Sequence, residues 1–507
     1  MEKRLARRLW IAGACLLAVV AALLLWRLNP AQGPLTAPAA GERLRTAAQG
    51  LDRIDIDATF DPVQSTLHVA QTLTLQNRSG TPLRQAVLRA YPNAFATEDT
   101  SPAATDELYD ACYPDGFSAG GLSMGSLRAQ GAAGEAYAPA YAYLDEAHTA
   151  LAVTLAADWA EGETLTLQAT YTVQIPRAAY RFGEAEGVWA LGHVFLIPAP
   201  FEGGAYRTDA YSSIGEPFTS ACANYTVRLT LPQGYAVAAT GAQRGVETAN
   251  GVQTLTFDAP AVRDFALCLS RDYRIAETLQ NGVLVRALAR AEADARTLRD
   301  TAARALACYA SRYGAYPYPV YTVCEATFPL GGASYPMLGV IAADRLHAGG
   351  ETPEQWIART VARQWWGALV GSDGVNQPWQ LEGLCGFSLL DYWETRYGLD
   401  ARQSLQYAQA DAAMRVTVPG SLTPGCPVDY YGDWTDYRTV AFGRGTAALC
   451  ALDLALGGGL DGFLACYAET FAFTQATRTD FETLLAAATG QDWSPLLSDY
   501  LDTDLNN

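Results

Sequence analysis

Two arginines and a glutamate are the most informative of the side chains whose type and spacing could do chemistry. Arg359 and Arg363 lie four residues apart, and Glu382 follows nineteen residues after Arg363. Residues at i and i+4 share one face of a helix, which is the spacing at which two histidines hold a zinc ion. A guanidinium stays protonated and has no lone pair to give, so neither arginine can bind a metal.

The histidines and the serine motif do not provide another catalytic or metal site in this sequence. The four histidines are far apart and none forms an i, i+4 pair, so we expect structural or surface roles for His68, His148, His193 and His347. Residues 332–336, G-A-S-Y-P, superficially match the nucleophile motif G-x-S-x-G, but the last residue is proline and no helix follows. A serine hydrolase is therefore not predicted.

Three motifs around these residues are specific in their order and spacing. They read G-G-A-S-Y-P at 331–336, R-T-V-A-R-Q-W-W-G at 359–367 and V-N-Q-P-W-Q-L-E-G-L at 375–384. They resemble the signatures of the gluzincin zinc aminopeptidases, the membrane alanyl aminopeptidase family, which carries G-G-M-E-Y/N, H-E-x-x-H-Q-W-W and V-N-E-P-W-x-x-E-G-L. Y-P-N-A-F at 91–95 and G-E-P-F at 215–218 resemble the bacterial, membrane-anchored members.

The resemblance implies a zinc peptidase fold in which five of six chemically essential positions are changed. These are Ser334 for the glutamate that anchors the substrate's amino group, Arg359 and Arg363 for the zinc-binding histidines, Thr360 for the glutamate general base, and Phe442 for the tyrosine that stabilises the tetrahedral intermediate. Only the third zinc ligand is kept, as Glu382. A threonine hydroxyl has no useful basicity near neutral pH, and one carboxylate does not hold zinc. We therefore expect no intact catalytic residue, no metal and no cofactor.

An ion pair is expected where the family binds its metal. A buried carboxylate without a cation is costly, and the positions of Arg359 and Arg363 in the family converge on the ion that Glu382 binds. We expect Glu382 to accept hydrogen bonds from at least one arginine; the alternative is that both guanidiniums point into solvent. Because arginine is longer than histidine, one side chain could reach a second acid, for which Glu325 and Asp373 are the candidates.

The resemblance also implies a peptide cleft along the strand that carries the first motif. Gly331, Gly332, Ser334 and Tyr335 form this predicted cleft, and an open strand edge there would pair with an extended peptide. Ser334 cannot anchor an ammonium group as glutamate does. Any preference for a free N-terminus is therefore expected to be lost.

Three functional hypotheses remain open at this point. The first is a membrane-tethered, extracytoplasmic pseudopeptidase that binds a peptide or protein partner without hydrolysis. The second is an active metallo-aminopeptidase with an atypical zinc site. The third is a purely architectural ectodomain of a membrane complex.

The elements around these motifs predict an α+β protein. Alternating apolar residues at 67–75, 165–175 and 225–231 are typical of strands in an all-β sandwich or saddle, assigned to residues 51–278. Residues 279–507 are predicted to form a thermolysin-like, mainly helical domain with a small sheet. Its predicted elements are short strands at 319–326 and 337–343 and helices at 298–313, 352–369 and 382–397.

The N-terminal residues predict a membrane anchor. Residues 9–26 are an unbroken apolar run that would span roughly 27 Å as a helix, close to the thickness of a bilayer core. Four basic residues precede it, so residues 1–8 are expected in the cytoplasm and the rest outside, with 27–50 as a linker. A cleaved signal peptide is the alternative.

Composition excludes nucleic acids as partners. The chain has 507 residues with 35 Lys and Arg against 53 Asp and Glu, a net charge of −18, and we find no basic stripe. Such a surface repels phosphate backbones. The ten cysteines are scattered singly without zinc-ribbon spacing, so most are expected to be small buried hydrophobes.

Overall fold

The computed structural model describes residues 35–131, 134–348 and 352–504, and the described chain from Ala37 onward forms one compact unit. The predicted anchor at 9–26 lies outside these residues. Within them, no single helix has the length and hydropathy to cross a membrane, and only the bent pair Trp434–Ala455 and Leu460–Thr470 passes that test when taken together.

The first part of the chain is built from strands. In chain order they are β1 (Arg53–Asp61), β2 (Thr66–Gln76), β3 (Leu83–Arg89), β4 (Gly121–Gln130), β5 (Tyr141–Tyr143), β6 (Ala150–Trp159), β7 (Thr164–Gln174), β8 (Phe182–Ala185), β9 (Val188–Leu191), β10 (Ile197–Pro198), β11 (Phe201–Glu202), β12 (Ala205–Tyr206), β13 (Ala223–Pro232), β14 (Ala236–Ala239), β15 (Ala242–Ala249), β16 (Val252–Val262) and β17 (Leu267–Ser270). Two short helices accompany them, α1 (Glu42–Ala47) and α2 (Tyr109–Cys112).

These strands form a large sheet and smaller ones. The large sheet has the order β15-β16-β13-β1-β2-β7-β4, and two four-stranded sheets have the orders β10-β3-β6-β5 and β14-β17-β9-β8. The three stretches with alternating apolar residues are confirmed as β2, β7 and β13, in which every second residue is buried. The pairing of β1 with β13 is parallel within this mostly antiparallel sheet.

The second part of the chain combines a five-stranded sheet with helices. The strands are β18 (Arg274–Gln280), β19 (Val283–Ala289), β20 (Val320–Ala326), β21 (Gly332–Tyr335) and β22 (Leu338–Ala342), in the order β18-β19-β20-β22-β21. The helices are α3 (Glu292–Tyr313), α4 (Pro353–Ala362), α5 (Pro378–Tyr397), α6 (Leu399–Gln406), α7 (Trp434–Tyr437), α8 (Gly445–Ala455), α9 (Leu460–Thr470), α10 (Arg478–Thr489) and α11 (Ser494–Leu501). The α+β class is thus confirmed, whereas the predicted division at residue 278 stays a prediction.

Helix α4 is shorter than the sequence predicts. The apolar periodicity continues to Leu369, but the helix ends at Ala362 and Gly367 adopts a φ of +108°. A side chain at that φ would be strained, so the glycine permits a turn that periodicity does not reveal. Thr352 precedes α4 without making the side-chain cap that its motif suggests.

Helix α5 is the central helix of this part. Its residues from Pro378 to Tyr392 are buried, and a Cβ atom on Gly383 would lie 2.9 Å from the backbone of Gly445. The two glycines therefore let α5 and α8 approach closely. Trp365, Trp366 and Trp379 are fully buried, Trp379 lies beside this contact, and Trp366 Nε1 donates to Ser388 Oγ of α5 at 2.8 Å. This packing holds α5 in a defined register beside α4.

Candidate functional site

The ends of α4 and α5 bring the three predicted site residues together. Arg359 lies in the last turn of α4 and Arg363 caps its C-terminus, where the helix dipole favours a cation. Glu382 lies in the second turn of α5. Arg359 Nη2 donates to Glu382 Oε2 at 3.3 Å, and Arg363 Nη2 donates to Glu382 Oε1 at 2.5 Å. Tyr437 completes the set, donating its hydroxyl to Glu382 Oε1 at 3.1 Å.

Burial makes this cluster electrostatically strong. Glu382 is only 1% exposed and Arg359 is 9% exposed. Burial by itself would raise the pKa of Glu382, but Arg363 and Arg359 together lower that pKa below its ordinary value. Burial lowers the pKa of Arg363 in turn, yet Glu382 and Glu216 outweigh it and raise that pKa. Glu382 and Arg363 are therefore both charged at neutral pH.

Arg363 also contacts a second acid, which is Glu216. Arg363 Nη1 lies 3.2 Å from Glu216 Oε1, and Arg181 Nη2 lies 3.3 Å from the same oxygen. The sequence-based prediction that Glu325 or Asp373 is this second acid is wrong. Glu325 is bound by Arg290 Nε at 2.7 Å, and Asp373 by Arg207 Nη1 at 3.0 Å. Each of these two acids is paired with an arginine other than Arg363.

Thr360 and Phe442 occupy the positions that the resemblance assigns to the general base and the tyrosine, and both side chains are engaged within the protein. Thr360 Oγ1 donates to the carbonyl of Trp356 in the preceding turn of α4, at 2.9 Å. Phe442 lies under Arg359, with the guanidinium carbon 3.8 Å from the ring centroid. This stacking is a cation–π contact. Neither residue presents a base or a hydroxyl to a substrate.

The predicted peptide-cleft residues divide between two cavities. Gly332 lines a cavity beside the ion pair, together with Arg359, Arg363 and Glu382. Ser334 and Tyr335 line a neighbouring cavity of about 100 Å³, which shares Glu216 and Arg363 with the first. Gly331 lies in neither, because the ring of Trp356 covers it and leaves no room for a side chain.

Ser334 is held by the protein itself. Its hydroxyl donates to the carbonyl of Thr360 at 3.3 Å and accepts from Gln364 Nε2 at 3.1 Å. Tyr335 is buried, with its ring 5.3 Å from that of His193. The side chains of Ser334 and Tyr335 are therefore engaged within the protein.

The donor set does not fit zinc. Arg359 and Arg363 can only donate, and they occupy both oxygens of Glu382. In the part of the chain that the structure describes, no group of three His, Cys, Asp or Glu side chains is arranged to hold a metal ion. The histidines are spread out; His193, for example, lies 2.6 Å from Asp264. No zinc-dependent step can be derived from these residues.

Sequence reasoning missed three contributors to the site. Arg181 and Glu216 come from the β-rich part, and Tyr437 comes from α7. The motif G-E-P-F at 215–218 is visible in the sequence, but nothing in its spacing connects Glu216 with the arginines. The available signal was charge balance, since two arginines converging on one glutamate call for a second carboxylate.

Comparisons with known proteins agree with this architecture. No protein-family model matches the sequence, and no curated protein matches it. Among solved structures, the chain is similar to the M1 zinc metallopeptidase from Deinococcus radiodurans, at 20% identity and a TM-score of 0.61, covering 89% of this chain and 94% of that one. A mutant of that metallopeptidase bound to a Tyr-Ser-Ala substrate gives 21% identity with the same coverage and TM-score.

A two-domain M1 zinc metallopeptidase mutant bound to L-tryptophan is similar to the same degree. It is 21% identical with a TM-score of 0.60, covering 92% of this chain and 96% of that chain. At this level of identity the likeness concerns the backbone. The chain therefore has the fold of the M1 zinc metallopeptidases.

Proposed function

We propose that this protein is a membrane-tethered pseudopeptidase, which binds peptides outside the cytoplasm and does not hydrolyse them. The observation that carries the proposal is the ion pair of Glu382 with Arg359 and Arg363, in the helices where the resembling family binds zinc. The pair satisfies a buried carboxylate with two permanent cations and leaves it no capacity to bind a metal.

Absence of hydrolysis follows from what each position can do. Peptide hydrolysis on this fold needs an activated water and a donor for the tetrahedral oxyanion. Thr360 is engaged with its own helix, and Phe442 has no hydroxyl. Tyr437 has a hydroxyl, but it already donates to Glu382.

Peptide binding is supported by the edge strand. β21 pairs with β22 on one side and is the last strand of its sheet among the described residues. An extended peptide can add to such an edge through main-chain hydrogen bonds. Gly332 and Ala333 of this strand line the cavity beside the ion pair, so a peptide paired there would run next to the arginines.

The decisive experiment measures zinc, turnover and binding on the full-length chain purified in mild detergent. We expect substoichiometric zinc, no cleavage of Ala-, Leu- or Arg-amide substrates, and saturable binding of unstructured peptides. Stoichiometric zinc with turnover would contradict the proposal. Absence of any peptide binding would favour a purely architectural role instead.

A matched variant shows whether the assay could detect the lost activity. Combining Arg359→His, Thr360→Glu and Arg363→His restores two imidazoles and a carboxylate next to Glu382. We expect this triple variant to take up zinc where the parent does not, because the ligand types and the helical spacing then suit the metal. Equal zinc content in parent and variant would contradict our assignment of these positions.

The membrane tether has a separate test. The apolar run at 9–26 is long enough to span a bilayer core. We expect the full-length chain to stay in the membrane fraction after an alkaline carbonate wash, and a chain starting at residue 35 to be released. Release of the full-length chain would contradict anchoring.

A further inference from the structure

The cavity beside the ion pair, which we call the arginine cleft, is unusually rich in positive charge. It is lined by four arginines and two glutamates, namely Arg181, Arg359, Arg363, Arg438, Glu216 and Glu382. Even without Arg438, three arginines line the cleft with two glutamates, in a chain whose net charge is −18. The cleft holds about 30 Å³ of free space, which suits a small group such as a carboxylate rather than a large polyanion.

Buried donors without a partner lie around this cleft. Arg181 has a side chain only 1% exposed, and its Nε and Nη1 make no hydrogen bond to the described residues. The indole nitrogens of Trp356 and Trp434, which also line the cleft, are likewise buried without a hydrogen-bond partner there. Buried donors are costly when unsatisfied, so this set needs an acceptor.

Arg359 and Arg438 connect the cleft to a second cavity. This cavity holds about 260 Å³, and its walls are mostly small or apolar. We call it the alanine cavity; besides the two arginines it is lined by Ala408, Gln409, Ala412, Ala413, Val416, Thr439, Phe442 and Gly443. Two cationic side chains thus lie between the arginine cleft and a cavity that also contains small and apolar side chains.

Arg359 has donors to spare at this junction. Its Nη2 is used by Glu382, and its guanidinium stacks on Phe442, but its other nitrogens make no hydrogen bond to the residues that the structure describes. Arg438 is exposed, with its guanidinium carbon 5.3 Å from the ring centroid of Trp356. Arginine presents paired donors in a plane, the geometry that a carboxylate accepts.

We propose that the arginine cleft binds the C-terminal carboxylate of a peptide, while the alanine cavity receives its small apolar last side chain. The inference rests on the proposed peptide-binding function and names the ligand end that is recognised. A free short-chain carboxylic acid has the same chemistry and is the other possible source. A phosphate fits less well, because Glu216 and Glu382 border the cleft and repel a second negative charge.

The test compares peptides that differ only at the C-terminus. Acetyl-Ala-Ala-Ala with a free carboxylate and the same peptide with a C-terminal amide are titrated calorimetrically into the full-length chain at low ionic strength. We expect the acid to bind at least about tenfold more tightly, as is typical of a charge-assisted hydrogen-bond pair. Equal binding of both forms would overturn this inference and leave peptide binding intact, whereas binding of neither would overturn the proposed function itself.

Two further probes distinguish the source and the side chain. Butyrate carries the carboxylate and an apolar chain without a peptide, and we expect it to bind at least tenfold more weakly than the tripeptide acid. Butyrate binding as tightly as the peptide would overturn the assignment to a peptide. Acetyl-Ala-Ala-Asp should bind more weakly than the alanine peptide, because a carboxylate side chain would be desolvated in the alanine cavity; equal binding would overturn the role of that cavity.

The proposal can be tested by a variant of an arginine other than Arg359 and Arg363. Arg438→Gln should lower the affinity for the acid about tenfold and leave that for the amide unchanged. Arg415→Gln is the matched control: Arg415 is also exposed and stacked on an aromatic ring, that of Tyr407, but lines neither cavity. Equal losses for acid and amide with Arg438→Gln, or equal effects of the two variants, would overturn the proposal.

Discussion

Glu382 remains charged in surroundings that would otherwise favour its neutral form. Burial disfavours a carboxylate, whereas Arg359 and Arg363 and the hydroxyl of Tyr437 supply hydrogen bonds that only the charged form can fully accept. A buried pair of this kind adds little net stability over an apolar equivalent, but removing one partner leaves the others uncompensated. Glu382 is therefore best tested by a substitution that keeps the shape of its side chain and removes its charge.

Replacing Glu382 by glutamine should destabilise the protein. The amide keeps the shape of the side chain but removes the negative charge that two semi-buried guanidiniums require. We expect Glu382→Gln to lower the free energy of unfolding by about 1–3 kcal/mol. Chemical denaturation followed by intrinsic fluorescence measures this difference.

The control for this variant lies on the same helix. Glu394 is paired with Arg402 and Arg312 at 3.4 and 3.7 Å, but its side chain is 37% exposed. Glu394→Gln should cost no more than about 0.5 kcal/mol, because exposed ion pairs contribute little. If Glu382→Gln is as stable as the parent, the buried ion pair has been misjudged.

The same carboxylate gives a pH dependence with a defined sign. Its pKa is lowered by folding, so its contribution to stability is present above the unfolded pKa of about 4.3 and is lost as pH falls through the lower folded value. The stability gap between the parent and Glu382→Gln should therefore be constant from about pH 5 to pH 8 and shrink below about pH 4.

Denaturant titrations of both proteins at pH 7, 5 and 3.5 check this expectation. Other titrating groups cancel because the two proteins differ at one position. A gap that widens on acidification would mean that Glu382 is neutral in the folded protein.

At the scale of single elements, β21 is the last strand of its sheet among the described residues, and its serine is engaged within the protein. Its glycine and alanine line the arginine cleft, whereas Ser334 is directed into hydrogen bonds with Thr360 and Gln364. A peptide paired with this strand would gain main-chain hydrogen bonds, which do not depend on the state of its N-terminus. Nothing at position 334 offers a negative charge to an ammonium group.

We accordingly expect N-acetylated and free peptides of the same sequence to bind with affinities within about twofold. The expectation follows from the absence of a charge-assisted contact, which would otherwise contribute tenfold or more. Fluorescence anisotropy with a label on an internal side chain measures both forms. Much weaker binding of the acetylated form would show that an amine anchor persists.

Sequence patterns predicted elements where local periodicity decides the structure. Strand β7 and helix α3 follow from alternation and from apolar residues at three and four, since one face of each is buried. The parallel pairing of β1 with β13 and the early end of α4 depend on tertiary partners and on one glycine dihedral. Patterns within a short window do not contain that information.

The residues of the candidate site likewise divide into those that local patterns reveal and those that they do not. Arg359, Arg363 and Glu382 could be found because helical spacing and a motif place them together. Glu216 could not, since it lies in the other part of the chain and reaches Arg363 only through the packing of the two parts.

At the scale of the whole molecule, arginines join the β-rich part to the helical part. Arg207 pairs with Asp373, and Arg263 donates to the carbonyls of Ala368 and Thr474 at 3.2 and 2.6 Å. Arg363 makes a third link through Glu216. These links are built from side chains of the chain itself, and each arginine among them carries a permanent charge.

Metal chelation should therefore leave the thermal stability of the molecule unchanged. A protein that binds a metal only in its folded state becomes more stable as its metal site fills, and a chelator removes that added stability. Here the cations beside Glu382 are covalent parts of the chain. We expect the Tm of the full-length protein to shift by less than about 1 °C when EDTA or phenanthroline is added, measured by scanning calorimetry.

The zinc-loaded triple variant Arg359→His, Thr360→Glu, Arg363→His is the positive control, and its Tm should fall by several degrees. A comparable loss in the parent would mean that a metal ion contributes to its folded state, contrary to the chemistry of these side chains.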